Sequence, residues 1–176
     1  MEADKPSLKL SVVERLILMN QYRILDLLEG SVDERHAQYH EALKEGYELH
    51  YNWIADGMDE GLSAAECSEV LDILDMFRAI KNAMSKHAVD SSLARFAEFG
   101  GFDGNNESAQ MAYVRYFCLG IGRFGDLVDE DFPFNSHMPM LPRYRRMRNK
   151  WLSLSLEERY DLSQSQLESV LSAGMQ

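Results

Sequence analysis

The sequence is poor in the residues that break, staple or anchor a chain. It has four prolines, three of them between Pro133 and Pro142, so little interrupts helix formation over most of its length. Cys67 and Cys118 are its only cysteines, far apart and each inside an apolar helical pattern. That excludes a paired-cysteine metal motif and leaves two buried, reduced thiols as the expectation. The longest run of strong hydrophobes is Leu16-Ile17-Leu18-Met19, far short of the ~20 residues that span a bilayer. The first residues, Met1-Glu2-Ala3-Asp4-Lys5-Pro6, carry acid where a secretory signal carries base. A cytoplasmic protein without membrane association is expected. Positive charge is scarce as well: 18 Lys and Arg against 29 Asp and Glu give a net charge of −11, which on average repels nucleic acid.

What is present is globular and helical. The 176 residues are 45% hydrophobic and 27% charged, ordinary for a folded domain, and a chain of this size buries roughly 70% of its unfolded surface. Four serines each stand three residues before Glu or Gln: Ser11–Glu14, Ser63–Glu66, Ser155–Glu158 and Ser163–Gln166. In such a capping box the hydroxyl accepts an orphan backbone N–H, and the acid or amide accepts the serine's own N–H. Apolar residues then recur at helical steps: Val13, Leu16, Ile17, Ile24, Leu27 and Leu28 before Gly30, and Val70, Ile73, Leu74, Phe77, Ile80 and Met84 further on. Met140, Tyr144, Met147, Trp151 and Leu154 trace another stripe. Helices are also predicted from Asp33 to about Trp53, from Glu107 to about Gly120 with Asn106 as its cap, and from Ser163 to Ala173. The fold class is all-α: a tail at 1–9, then one multihelical domain of about six to eight helices over 10–176. Two long connections, Glu98 to Asn106 and Gly125 to Pro139, are expected to be tied down by Phe132, Phe134 and His137.

Several motifs invite a chemical reading and fail it. Gly120-Ile121-Gly122-Arg123-Phe124-Gly125 fits the dinucleotide pattern in letters, but the acids Asp126 to Asp131 follow it and would oppose a pyrophosphate at a helix start. His36 and His40 have metal-ligand spacing on a helix, yet no further ligand is supplied locally. His50, His87 and His137 are single residues. Asp103-Gly104-Asn105-Asn106-Glu107 resembles a calcium loop but has Ser108 and Val114 where Gly and Glu are required. No nucleophile elbow or phosphate loop is present. No catalytic, cofactor-binding or metal residue is expected, and no cofactor.

One local feature departs from the rest. Arg143-Tyr144-Arg145-Arg146-Met147-Arg148-Asn149-Lys150-Trp151 holds five positive charges in nine residues, which leaves the remainder of the chain at −16. On a helix, Arg143, Arg146 and Lys150 share a face, a candidate surface for an anion or an acidic partner. The alternatives are pairing with the chain's own acids, at Asp126 to Asp131 or beside Asp72 and Asp75, and contact with nucleic acid. The abundance of apolar helix faces, with ten methionines and eight tyrosines, points to a homo-oligomer, a dimer first. An interaction or regulatory protein is the leading reading; a nucleic-acid-associated protein using 143–151 and an enzyme or small-ligand binder are the others.

The ordered set Glu14-Arg15-Leu16-Ile17-Leu18-Met19-Asn20-Gln21-Tyr22, Gly46-Tyr47, Val70 to Phe77, Gly101-Phe102-Asp103-Gly104-Asn105-Asn106-Glu107, Tyr113-Val114-Arg115, Phe134-Asn135, Pro139-Met140, Tyr144, Arg146-Met147 and Trp151 resembles the YfbU family of bacterial proteins. The resemblance runs from Leu10 to about Ala173. It implies a helical cytoplasmic protein and lends no catalytic residues. In that pattern Arg145 and Arg148 are extra, which weighs against nucleic-acid binding.

Overall fold

The computed structural model describes residues 8–29, 34–56, 58 and 61–175. Among them are nine α-helices and no strand, and six of the helices run for eight residues or more. The chain divides into two compact units, 1–60 and 61–176, taken here in turn.

The first unit is built on a hairpin of α1 (Val12–Glu29) and α2 (Glu34–Glu45). Ser11 starts α1 as its spacing predicts: the Ser11 hydroxyl accepts from the Glu14 N–H at 3.3 Å, and the Glu14 carboxylate accepts from the Ser11 N–H at 2.8 Å. Tyr22 of α1 meets Tyr39 and His36 of α2, with ring centroids 5.4 and 5.6 Å apart. Arg15 donates to the Leu43 carbonyl at 3.1 Å. The continuous helix expected from 33 to 53 does not form. Gly46 takes a φ of 79°, and its N–H and that of Tyr47 both return to the Ala42 carbonyl, at 3.0 and 2.9 Å. That left-handed C-cap closes α2, and a 3-10 turn (Glu48–His50) leads into the short α3 (Tyr51–Ile54). Asp33 and Gly30 lie outside the described residues. The described apolar side chains buried in this unit are Ala42, Leu43 and Tyr51, a very small core.

The second unit is organised around α4 (Ala64–Met84), whose Val70, Ile73, Leu74, Met76, Phe77, Ala79, Ile80 and Ala83 are buried. Packed against it are α6 (Ser108–Arg115), α7 (Leu141–Leu152), α8 (Leu156–Tyr160) and α9 (Gln164–Ser172), with α5 (Ser91–Ala94) against α9. The boxes at Ser63, Ser155 and Ser163 all form. From α7 the stripe Met140, Tyr144, Met147 and Trp151 is buried. Tyr144 lies edge-on to Phe77 at 5.0 Å and to Phe102 at 5.6 Å. Its hydroxyl donates to the Gly101 carbonyl at 3.1 Å and accepts from the Gly100 N–H at 3.0 Å.

The two long connections are tied to each other. The Phe102 N–H donates to the Phe134 carbonyl at 2.9 Å and the Ser136 N–H to the Phe102 carbonyl at 3.0 Å, an isolated parallel bridge. Phe132 stacks on Phe99 at 5.7 Å, and Phe134 meets Phe132 edge-on at 5.1 Å. His137 stays exposed and joins through its backbone, donating to Asn135 Oδ1 at 2.9 Å. The cap of α6 also differs from expectation. Its N-cap is Glu107, while Asn106 donates its amide to Asp103. The buried Glu107 carboxylate reaches across the loops and accepts from the N–H groups of Asp103 (3.1 Å), Met140 (2.9 Å) and Leu141 (2.7 Å). It therefore caps α7, the basic helix, with charge of the sign a helix N-terminus attracts.

Candidate functional site

Because α7 buries the Tyr144–Met147–Trp151 face, its arginines leave on two flanks. On one flank they are consumed. Arg145 donates to Glu69 through Nε at 3.0 Å and Nη2 at 2.7 Å, and Arg148 Nε donates to Asp72 at 3.0 Å. The hydrogen bond from Arg145 holds the Glu69 carboxyl below its usual range. Pairing with the chain's own acids thus holds for Arg145 and Arg148, with α4 as the source. The acidic loop is engaged elsewhere: Asp126 pairs with Arg78 at 2.9 Å, whose hydrogen bonds lower the Asp126 carboxyl. Asp75, raised by its own burial, also approaches Arg78, at 3.9 Å.

On the other flank the arginines have no carboxylate partner among the described residues. Arg143 lies over the Phe96 ring at 5.3 Å, and Arg95, just past α5, lies over the same ring at 4.7 Å. Arg146 donates Nε to the Ala173 carbonyl at 3.2 Å and Nη1 to the Pro142 carbonyl at 3.0 Å. Its position is thereby fixed at the C-terminal end of α9, where the helix dipole favours a cation. Arg95, Arg143 and Arg146, with Phe96 and Pro142, line an open pocket of about 460 Å³ with no acidic residue among its described lining. Lys150 is exposed on the same face but lies outside this lining. Of the three residues expected to share a surface, the pocket gathers Arg143 and Arg146. Arg95 replaces Lys150, and no local signal in the sequence connects it to α7.

A second surface lies on the first unit. The side of α1 turned to α2 carries the half-buried Arg15, Leu18, Met19, Tyr22 and Asp26. The opposite side is also apolar, and it is exposed: Val13 66%, Leu16 55%, Ile24 55% and Leu27 75%, flanked by Val12, Ile17 and Leu28. Asn20, exposed, stands in the middle of it. A soluble helix ordinarily presents polar residues on its outer face, so α1 is apolar where its own hairpin gives no cover.

Residues 116–120 form a π-helical turn rather than a strand, and Phe124, at a φ of 56°, is buried under Arg78. Asp103 Oδ1 accepts from the Asn105 N–H at 3.1 Å, the turn expected of Asp-Gly. No cluster of three His, Cys, Asp or Glu residues fit for a metal occurs among the described residues. Cys118 is buried, which pushes its thiol up to about 11, and Cys67 is half-buried; neither forms a disulfide.

These features define a class: an all-helical protein in which, among the described residues, no helix is long and apolar enough to cross a membrane. The model of the YfbU domain matches residues 8–173, across both units. The UPF0304 protein MJECS11 of Methanocaldococcus jannaschii is 35% identical over 173 residues, covering 93% of this chain and 99% of its own. The chain belongs to the YfbU family.

Proposed function

We propose that this chain is a cytoplasmic interaction or regulatory protein that works as a homo-oligomer, a dimer first. The observation that carries the reading is the exposed apolar side of α1 on a unit whose described buried core is only Ala42, Leu43 and Tyr51. A unit of 60 residues is marginal on its own core, and burying a leucine side chain contributes about 1.5–3 kcal/mol. Covering α1 is therefore a large part of what such a hairpin has to gain. Sedimentation velocity at micromolar concentration is expected to give a multiple of the 20.2 kDa chain mass. Leu16→Asp, on the exposed side, is expected to give the chain mass. A wild-type protein that sediments at the chain mass overturns the reading.

The arginine pocket supports a second contact, with an acidic group of a partner or a small anion. Its cations are held in place by Phe96 and the α9 carbonyl end, and they have no carboxylate partner among the described residues. Nucleic acid fits less well, since Arg145 and Arg148 are already committed to Glu69 and Asp72. Ligand that binds only the folded state raises the melting temperature by mass action. Inorganic phosphate is expected to raise it above sodium chloride of equal ionic strength. Arg143→Glu should abolish the difference, and Lys150→Glu, an equal change of charge outside the pocket, should keep it. Equal curves in the two salts overturn the assignment.

A further inference from the structure

The exposed stripe of α1 has an internal symmetry. Val13, Leu16, Asn20, Ile24 and Leu27 are spaced three, four, four and three, a sequence that reads the same from either end. At about 100° per residue, all five fall within about 40° of Asn20 around the helix. The residue types match in the same way: aliphatic at both positions four from Asn20 and at both positions seven from it.

A stripe symmetric about its centre is self-complementary when its partner runs the other way. We propose that two copies of the chain pair through α1 in antiparallel orientation, with the two-fold axis passing at Asn20; this rests on the self-association reading above. Leu16 of each copy then meets Ile24 of the other, Val13 meets Leu27, and Asn20 meets its own counterpart. Such an isologous contact closes with two chains and leaves no open end. The amide of Asn20 can donate and accept at once, so a pair of them at the axis satisfies itself and penalises any slipped register, which would set an amide against a leucine or valine. Ile17 and Leu28 widen the contact on one side of the seam and Arg23 borders the other, its stem apolar and its guanidinium free to reach water.

Two arguments favour this orientation over a parallel pair. A parallel pair sets every residue beside its own counterpart whatever the spacing, so it makes no use of a stripe that reads the same from either end. Antiparallel neighbours also place the positive end of each helix beside the negative end of the other. The size is sufficient. A specific interface buries about 800 Å² per partner, and seven aliphatic side chains, each at least half exposed in α1, supply an apolar surface of that order.

Cysteine cross-linking under mild oxidation tests the geometry, with the wild type as background for Cys67 and Cys118. An equal mixture of Val13→Cys and Leu27→Cys proteins is expected to give a covalent dimer joining the two variants, and either variant alone is not. In the antiparallel pair the two copies of residue 13 stand about 20 Å apart, beyond the ~7 Å Cα separation that a disulfide spans. A dimer that cross-links through Val13→Cys alone is parallel and overturns the proposal while self-association stands. A sedimenting dimer that cross-links in none of the three samples also overturns it and places the interface off α1. A protein that sediments as a monomer removes the self-association reading itself. All these positions are exposed, so the substitutions leave the folded core untouched.

Discussion

Replacing Glu107 with alanine is expected to cost about 4 kcal/mol, a large share of the roughly 5–15 kcal/mol that holds a domain folded. Its carboxylate is buried at 4% exposure and accepts from three backbone N–H groups, those of Asp103, Met140 and Leu141. Hydrogen bonds to a charged group contribute about 1.5–3 kcal/mol each, and a buried N–H left unpaired costs about 1–3 kcal/mol. Alanine removes every acceptor at once and leaves a void too closed for free access of water. Glutamine keeps one acceptor oxygen and loses the charge that complements the α7 dipole, so about half the effect is expected of it. Urea unfolding followed by circular dichroism measures both. A loss below about 1 kcal/mol for alanine would show that α7 does not depend on this cap. Because α7 carries Arg143 and Arg146, the phosphate effect on melting should shrink in the alanine variant along with its stability.

That carboxylate also shows where local reading of the sequence stops. The four serine boxes are legible because donor, acceptor and helix lie within four residues of each other, and all four form. The same local logic assigns the α6 cap to Asn106, whereas Glu107 holds that position and spends its side chain on a helix that starts at Leu141. Its partners cannot be found by spacing. The basic helix divides similarly. That Arg143 and Arg146 share a face follows from the helical repeat, but Arg95 enters their pocket only because Phe96 brings α5 and α7 together. The apolar stripe of α1 is plain in the sequence, and its direction is not. Leu18, Met19 and Tyr22 are enough to seat α1 on α2, which frees the stronger stripe on the other side. Periodicity identifies an apolar face and does not say which surface covers it.

Replacing Gly101 with alanine is expected to cost about 3–5 kcal/mol, and Gly122 with alanine only about 1 kcal/mol, although both glycines have left-handed backbones, with φ of 80° and 75°. The difference lies in the space around them. A Cβ at Gly122 meets nothing, so only the conformational penalty applies. At Gly101 it would overlap the carbonyl oxygen and carbon of Phe134, backbone atoms that cannot swing away. Relief requires moving the chain at 134, and that segment supplies the acceptor for the Phe102 N–H. It also shifts the Gly101 carbonyl, to which the buried Tyr144 hydroxyl donates at 3.1 Å, so the disturbance passes into the aromatic core around Phe77, Phe99 and Phe102. Gly104 offers an intermediate comparison: its Cβ would press on the Asn135 side-chain amide, which can rotate at the expense of the hydrogen bonds that its Oδ1 accepts from the Gly104 and His137 N–H groups. Thermal melts of the three alanine variants should therefore rank Gly122, Gly104 and Gly101 in order of increasing loss. If Gly101→Ala and Gly122→Ala melted together, positive φ alone would account for both, and the crossing of the two loops would not be the constraint that fixes α7.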